Sequence, residues 1–236
     1  MEYVIQIRGL SKKFKSKPVL KKINLDVPEG KTVVILGSSG TGKSVLLKCI
    51  VRLIEPDSGS IKVFGEEITK LPYEELLKVR AKIGYVFQGG ALYDSMTVRG
   101  NLEFPLLRQT KLSRDEINKK VQQVLNEVKL SDAINKWPSE LSGGMKKRIS
   151  VARTIIVEPD VMLWDEPTTG LDPETTREIS NLIKQMQEMY NVSSIVVTHD
   201  RDCAKIVADS IVVLKDGEFT EPAVYHELEN SSDEFV

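Results

Sequence analysis

Eight residues, "GSSGTGKS" (Gly37 to Ser44), have the types and spacing that hold a chain of phosphates. The pattern is G-x-x-x-x-G-K-[ST], with an apolar strand-like run before it and a helix-like run after it. Its glycines permit a tight loop whose backbone N–H groups point inward at anionic oxygens. The nucleotide-binding stretch expected on this basis is Gly37, Ser38, Ser39, Gly40, Thr41, Gly42, Lys43, Ser44 and Val45. The following helix adds about half a positive charge at its N-terminus. Lys43 places an ammonium on the β- and γ-phosphates, and the Ser44 hydroxyl is a candidate magnesium ligand.

The second half of such a site is "VMLWDEP" (Val161 to Pro167). An apolar strand that ends in Asp165 delivers a carboxylate to the magnesium shell. Glu166, one residue on, is placed to polarise an attacking water. The chemistry read from these two segments is phosphoanhydride hydrolysis. "LSGGMKKR" (Leu141 to Arg148) adds a second phosphate cradle, with Ser142, Gly143 and Gly144 at a helix start. One chain then holds two cradles but a single lysine-bearing loop. A symmetric dimer resolves this, each nucleotide lying between one copy's loop and the other copy's serine and glycines.

The elements that must position these residues can be read from periodicity. Val4, Ile5 and Ile7 open a strand, Ile23, Leu25 and Val27 alternate as another, and "TVVIL" (Thr32 to Leu36) suits a strand buried on both faces. A helix follows the loop with Val45, Leu46, Leu47, Ile50, Val51 and Ile54 inward, and is expected to run to "PDSG" at Pro56. "IKVFG" and "IGYVF" (Ile83 to Phe87) read as strands, as do "SIVVTH" (Ser194 to His199) and "SIVVL" (Ser210 to Leu214). Ser113 with Glu116 makes a capping box, Ser142 caps a helix through Val157, and a helix after Asp172 turns Ile179, Leu182, Ile183, Met186 and Met189 to one side. The expected organisation is one domain over 1–236. Residues 1–88 and 158–217 form the β-rich and α/β core, 89–157 a helical subdomain, and 218–236 a loosely held acidic tail.

Composition narrows the partners. Of 236 residues 41% are apolar and 28% charged, with a net charge of -1, so nothing draws the whole chain to nucleic acid or an anionic surface. The lysines at 12, 13, 15, 17, 21 and 22 lack interleaved aromatics and read as a solvated surface, so no nucleic acid is expected. The opening "MEYVIQIRG" has no basic region followed by an apolar one, and no run approaches a membrane span. Cys49 and Cys203 fall in apolar-periodic segments and read as buried, unpaired thiols of a reducing compartment. A cytoplasmic protein is expected.

With these motifs in this order, the sequence resembles the ATP-binding cassette (ABC) ATPases over essentially its whole length. The resemblance implies a P-loop NTPase core, an ABC-type RecA-like α/β subdomain with an antiparallel β subdomain, plus a helical subdomain. It implies ATP and Mg2+ as cofactors. Gln88 stands where the family's Q-loop glutamine belongs, with catalytic and metal-side roles, Asp172 in "TTGLD" where the D-loop aspartate belongs, and His199 where the switch histidine does. Phe14 matches the aromatic that stacks on adenine. Catalytic roles are thus implied for Glu166, His199 and Gln88, metal contacts for Ser44, Gln88 and Asp165, and nucleotide contacts for Phe14, Ser142, Gly143, Gly144 and Asp172.

The finer wording, "FQGGALYDSMTV", "ELSGGMKKR" with Met145, "DEPTTGLDP" and "SIVVTHD", is similar to the ATPase of Mla/Mce-type phospholipid transporters of double-membraned bacteria. The tail "YHELENSSDEFV" also resembles that branch. This implies a homodimer on ATP binding and an integral-membrane permease docking near Gln88 to Ser95, where Leu92 and Tyr93 are read as a displayed apolar patch. It further implies indirect service to an Mce-type lipid-binding subunit, and a location on the inner face of the inner membrane. The alternative is a soluble single-cassette ATPase, as in iron–sulfur cluster assembly.

Overall fold

A parallel sheet needs cover on both faces, so its strands are continuously apolar. In the computed structural model, which describes residues 2–219, every residue of Thr32–Leu36, Val161–Asp165 and Ser193–Thr198 is buried. The strands are β1 (Tyr3–Phe14), β2 (Lys17–Pro28), β3 (Thr32–Leu36), β4 (Ser58–Val63), β5 (Glu66–Glu67), β6 (Ile83–Val86), β7 (Val161–Asp165), β8 (Ser193–Thr198), β9 (Ser210–Lys215) and β10 (Glu218–Phe219). The helices are α1 (Lys43–Ile50), α2 (Tyr73–Ala81), α3 (Val98–Gln109), α4 (Arg114–Glu127), α5 (Gly143–Ile155), α6 (Pro173–Tyr190) and α7 (Arg201–Val207).

One sheet runs β10-β9-β3-β8-β7-β6 and a second, antiparallel sheet runs β2-β1-β4-β5. Within the first, β9, β3, β8, β7 and β6 are parallel, and β10 alone is antiparallel. Side chains alternate along a strand, so this sheet feeds two cores. Val34, Leu36, Met162, Trp164 and Val196 pack with α3 to α7. Val33, Ile35, Leu163, Ile195 and Val197 pack with α1, α2 and the antiparallel sheet. Parallel direction also brings the C-terminal ends of β3, β6, β7 and β8 to one edge, where α/β sheets bind ligands.

Several expectations need correction. α1 ends at Ile50 rather than at Pro56, because Arg52 adopts a left-handed backbone (φ 50°) and the Leu53 N–H closes back on Lys48 O. Val45, in the first turn of α1, and Ile54, beyond its end, are only half-buried. Met189 is 50% exposed, off the inner stripe of α6. The sequence reading has no helix at α2 or α7. Each is short, and α2 buries only Leu76 and Val79, too few to mark a helical stripe. Glu218 and Phe219, assigned to the tail, pair with Lys215 and Leu214 as β10. The rest of that tail lies outside the described residues. Both cysteines are free and buried, as expected.

Candidate nucleotide site

The loop from Gly37 to Gly42 leaves β3 and turns into α1. Gly42 holds φ 105°, and a Cβ there would sit 2.7 Å from Val19 Cγ1, so both the turn and the close packing on β2 require glycine. The Gly37 N–H donates to Thr198 O, tying the loop to the end of β8. Lys43 is buried, and its ammonium donates to Gly37 O at 2.6 Å and Ser38 O at 2.9 Å. It also lies 3.1 Å from Glu166 Oε1.

Asp165 closes β7 and is held from two sides. Ser44 Oγ donates to its Oδ1 at 2.6 Å, and Tyr85 Oη donates to its Oδ2 at 3.1 Å. Burial beside that carboxylate pushes the Tyr85 phenol up, so the hydroxyl stays protonated and remains a donor. Glu166 adopts φ 49°, a left-handed backbone unusual for a non-glycine residue, and its N–H donates to Val197 O. The turn aims its carboxylate back across the edge, where His199 Nδ1 meets Oε2 at 2.8 Å. Thr169 Oγ1 donates to the same oxygen at 3.1 Å. Two contact groups therefore stand side by side at this edge, Lys43 with Glu166 and His199, and Ser44 with Asp165 and Tyr85, contributed by the start of α1, by β6 and by the ends of β7 and β8. Ser44 Oγ and the Asp165 carboxylate are hard oxygen donors, the set that magnesium takes together with phosphate oxygens.

Other expected residues stand apart from this group. The Gln88 side chain is exposed, and among the described residues no hydrogen bond joins it to Ser44, Asp165 or Glu166. The part of Gln88 that is engaged is its carbonyl, which accepts from Lys147 Nζ. Phe14 is 46% exposed at the end of β1, with the Lys12 ammonium 5.5 Å from its ring centre. Ser142 caps α5 by accepting from the Met145 N–H. A Cβ on Gly144 would come within 2.8 Å of Thr175 Cγ2, so the cradle packs on the start of α6. Asp172 caps α6, accepting from the Glu174 and Thr175 N–H groups and from Thr175 Oγ1, which lowers its pKa. Among the described residues no hydrogen bond or ion pair links Ser142 to Gly144 with the Gly37 to Ser44 loop.

The stretch after Gln88 is more anchored than a displayed patch. Leu92 is half-buried against the helical core, which corrects the expectation for that residue. Tyr93 is 39% exposed, edge-on to Phe104 and under the Arg153 guanidinium. Asn101, fully buried, takes the Tyr93 N–H on Oδ1 and donates to Tyr93 O, Met96 O and Thr97 O. The sequence reading passes over Tyr85, which holds Asp165, Asn101, which anchors the stretch after Gln88, and Lys147, which holds the Gln88 carbonyl. The one available signal was a polar residue within an apolar-periodic run.

A family model described as "ABC transporter" matches residues 20–169. The methionine import ATP-binding protein MetN 1 of Acinetobacter baylyi is 39% identical, over 92% of this chain and 62% of that protein. The probable ribonucleotide transport ATP-binding protein mkl of Mycobacterium leprae is also 39% identical, over 91% of this chain and 62% of its own length. The chain thus spans about three fifths of these relatives. Among solved structures, a dimeric post-hydrolysis state of the ATP-binding cassette MJ0796 bound to ADP and Pi is 33% identical, with a TM-score of 0.85. That match covers 94% of this chain and 98% of the other.

Proposed function

The chain belongs to the ABC transporter family and has its ATPase cassette fold, and we propose that it is the ATP-hydrolysing subunit of a membrane transporter. The observation that carries this reading is that Ser44 with Asp165, and Lys43 with Glu166 and His199, are brought together at one edge of the parallel sheet. ATP lays its phosphates on the loop N–H groups and on the Lys43 ammonium. Magnesium, held by Ser44 Oγ and the Asp165 carboxylate, would neutralise phosphate charge when bound. Glu166 orients the attacking water and draws on its proton, while His199 fixes the carboxylate from the far oxygen. The water oxygen bonds to the γ-phosphorus, the bridging P–O bond breaks, and ADP leaves with the electron pair.

Among the described residues Ser142, Gly143 and Gly144 make no hydrogen bond to the Gly37 to Ser44 loop, and on this reading a second copy supplies them in an ATP-closed homodimer. Asp172, at the neighbouring helix start, lies at that junction. The partner in the membrane is a separate permease, docked near Gln88 to Ser95 on the cytoplasmic side. Among the described residues no helix is long and apolar enough to cross a membrane.

We assign the cargo as phospholipid moved between inner and outer membranes, with an Mce-type lipid-binding subunit served indirectly. The support is the wording of "FQGGALYDSMTV" and "ELSGGMKKR" with Met145. The named relatives are a methionine import ATP-binding protein and a probable ribonucleotide transport ATP-binding protein, so the test must separate cargoes. Depleting the chain in its own cell should alter phospholipid exposure on the outer leaflet and leave labelled methionine uptake intact. Lost methionine uptake with unchanged lipid distribution overturns the lipid assignment while leaving the ATPase reading in place.

A further inference from the structure

A surface loop ordinarily leaves its backbone carbonyls to water, yet the loop after β6 gives three of them to one helix. Lys147 Nζ donates to Gln88 O at 2.5 Å, Ser150 Oγ donates to Gly90 O at 2.7 Å, and the Arg153 guanidinium donates to Ala91 O. The donors are spaced i, i+3, i+6 and so form one stripe of α5. Lys147 alone among them has a second reach, with Nζ 3.5 Å from Glu166 O. Its side chain is buried, and burial lowers the amine's pKa while the Glu166 and Asp165 carboxylates oppose that shift. A methionine of similar length would fill the same space without desolvating a charge.

The placement of this amine relates two sites that belong to different nucleotides. α5 begins at Ser142, whose cradle serves the second copy's nucleotide in the dimer proposed above, while Gln88 and Glu166 serve the chain's own. We propose that Lys147 is a positioning residue that ties the Gln88 loop and the Glu166 turn to α5, so that closure on one nucleotide sets the catalytic loops of the other. Ser150 and Arg153 extend the tie along the loop, which then moves with the helix rather than with the sheet it leaves. A coupling of two sites needs a shared movable element, and this strap supplies it. The inference rests on the dimeric reading.

The test uses Glu166→Gln to block turnover and sizes the protein against Mg-ATP. Lys147→Met in that background should bind a fluorescent ATP analogue as a monomer with unchanged affinity, since among the described residues no hydrogen bond or ion pair joins Lys147 to the Gly37 to Ser44 loop. Its ATP midpoint for dimerisation should rise about tenfold, the loss of one charge-assisted hydrogen bond. Lys147→Arg should restore most of that shift, which a mere packing role would not. Dimerisation of the Met variant at the parent's midpoint overturns the coupling alone. A Glu166→Gln parent that never dimerises overturns the dimer reading and the coupling with it. Should the Met variant fail to fold, hydrogen exchange on the parent decides. Amides 88–91 and 143–155 should gain protection at one shared ATP midpoint, and separate midpoints reject the tie.

Discussion

Lys43 and Glu166 form a buried ion pair, Nζ to Oε1 at 3.1 Å, with side chains only 5% and 10% exposed. In the function proposed above, the ammonium assigned to phosphate therefore rests on the carboxylate assigned to water. A buried charge is tolerated when paired, so each holds the other in place. On that proposal, phosphate oxygens arriving at Lys43 would compete for the ammonium and release Oε1, while the His199 contact to Oε2 would hold the carboxylate in place.

The pair predicts that its two members fail differently. Glu166→Gln should retain ATP affinity, abolish phosphate release and accumulate an ATP-bound dimer. Lys43→Ala should weaken ATP binding itself, by on the order of tenfold to a hundredfold for one charge-assisted contact. Equilibrium binding beside a phosphate-release assay separates them. Hydrolysis by Glu166→Gln at the parent rate, with the permease present, would falsify the role given to Glu166.

Tyr85 gives a prediction about metal use. Tyr85→Phe removes one of the two hydroxyls that hold Asp165 but keeps the ring stacked on Phe87. Melting temperature and metal-free nucleotide binding should not change. The magnesium concentration that half-saturates the nucleotide signal should rise roughly threefold to tenfold. An identical magnesium titration would mean the hydroxyl does not position Asp165.

The Leu92 and Tyr93 pair should now divide. Leu92 packs on the helical core, so Leu92→Ser should destabilise the isolated chain by about 1–2 kcal/mol. Tyr93→Ser should shift the melting temperature less and still weaken recovery of the permease in detergent. Equal destabilisation by both substitutions makes Tyr93 part of the core. Full permease recovery by Tyr93→Ser removes it from the docking surface.

The thiols predict an alkaline limit. Burial pushes Cys203 up to about 12 and Cys49 up to about 11, above the ~8.5 of an open thiol. Their folded pKa values lie above the unfolded ones, so their contribution is complete below about pH 8.5 and is lost as pH rises toward 11 to 12. Tyr85 and Tyr190, also raised by burial, act in the same direction. Urea midpoints should therefore hold steady from pH 7 to 8 and fall above pH 9. Both thiols should resist a disulfide reagent at pH 8 until urea is added. Fast reaction of either in native buffer would show that it is open to solvent.

What the sequence by itself determined was the chemistry and the strands that carry it. Phosphate loops, buried parallel strands and helix caps are local patterns, so Gly37 to Ser44, Asp165, Glu166 and the capping box at Ser113 could be read from short windows. Tertiary structure decided which of them meet. His199 reaches Glu166, and Ser44 reaches Asp165 across 121 positions of sequence, only because β3, β8 and β7 lie side by side with their C-terminal ends together. The same long-range packing stopped α1 at Ile50, turned Met189 outward and drew Leu92 in, none of which a periodic pattern encodes. Lys147 shows the reason most directly. In the sequence it is one cation among several after Ser142, and its two carbonyl partners lie 59 and 19 residues away, where only the folded chain brings them together.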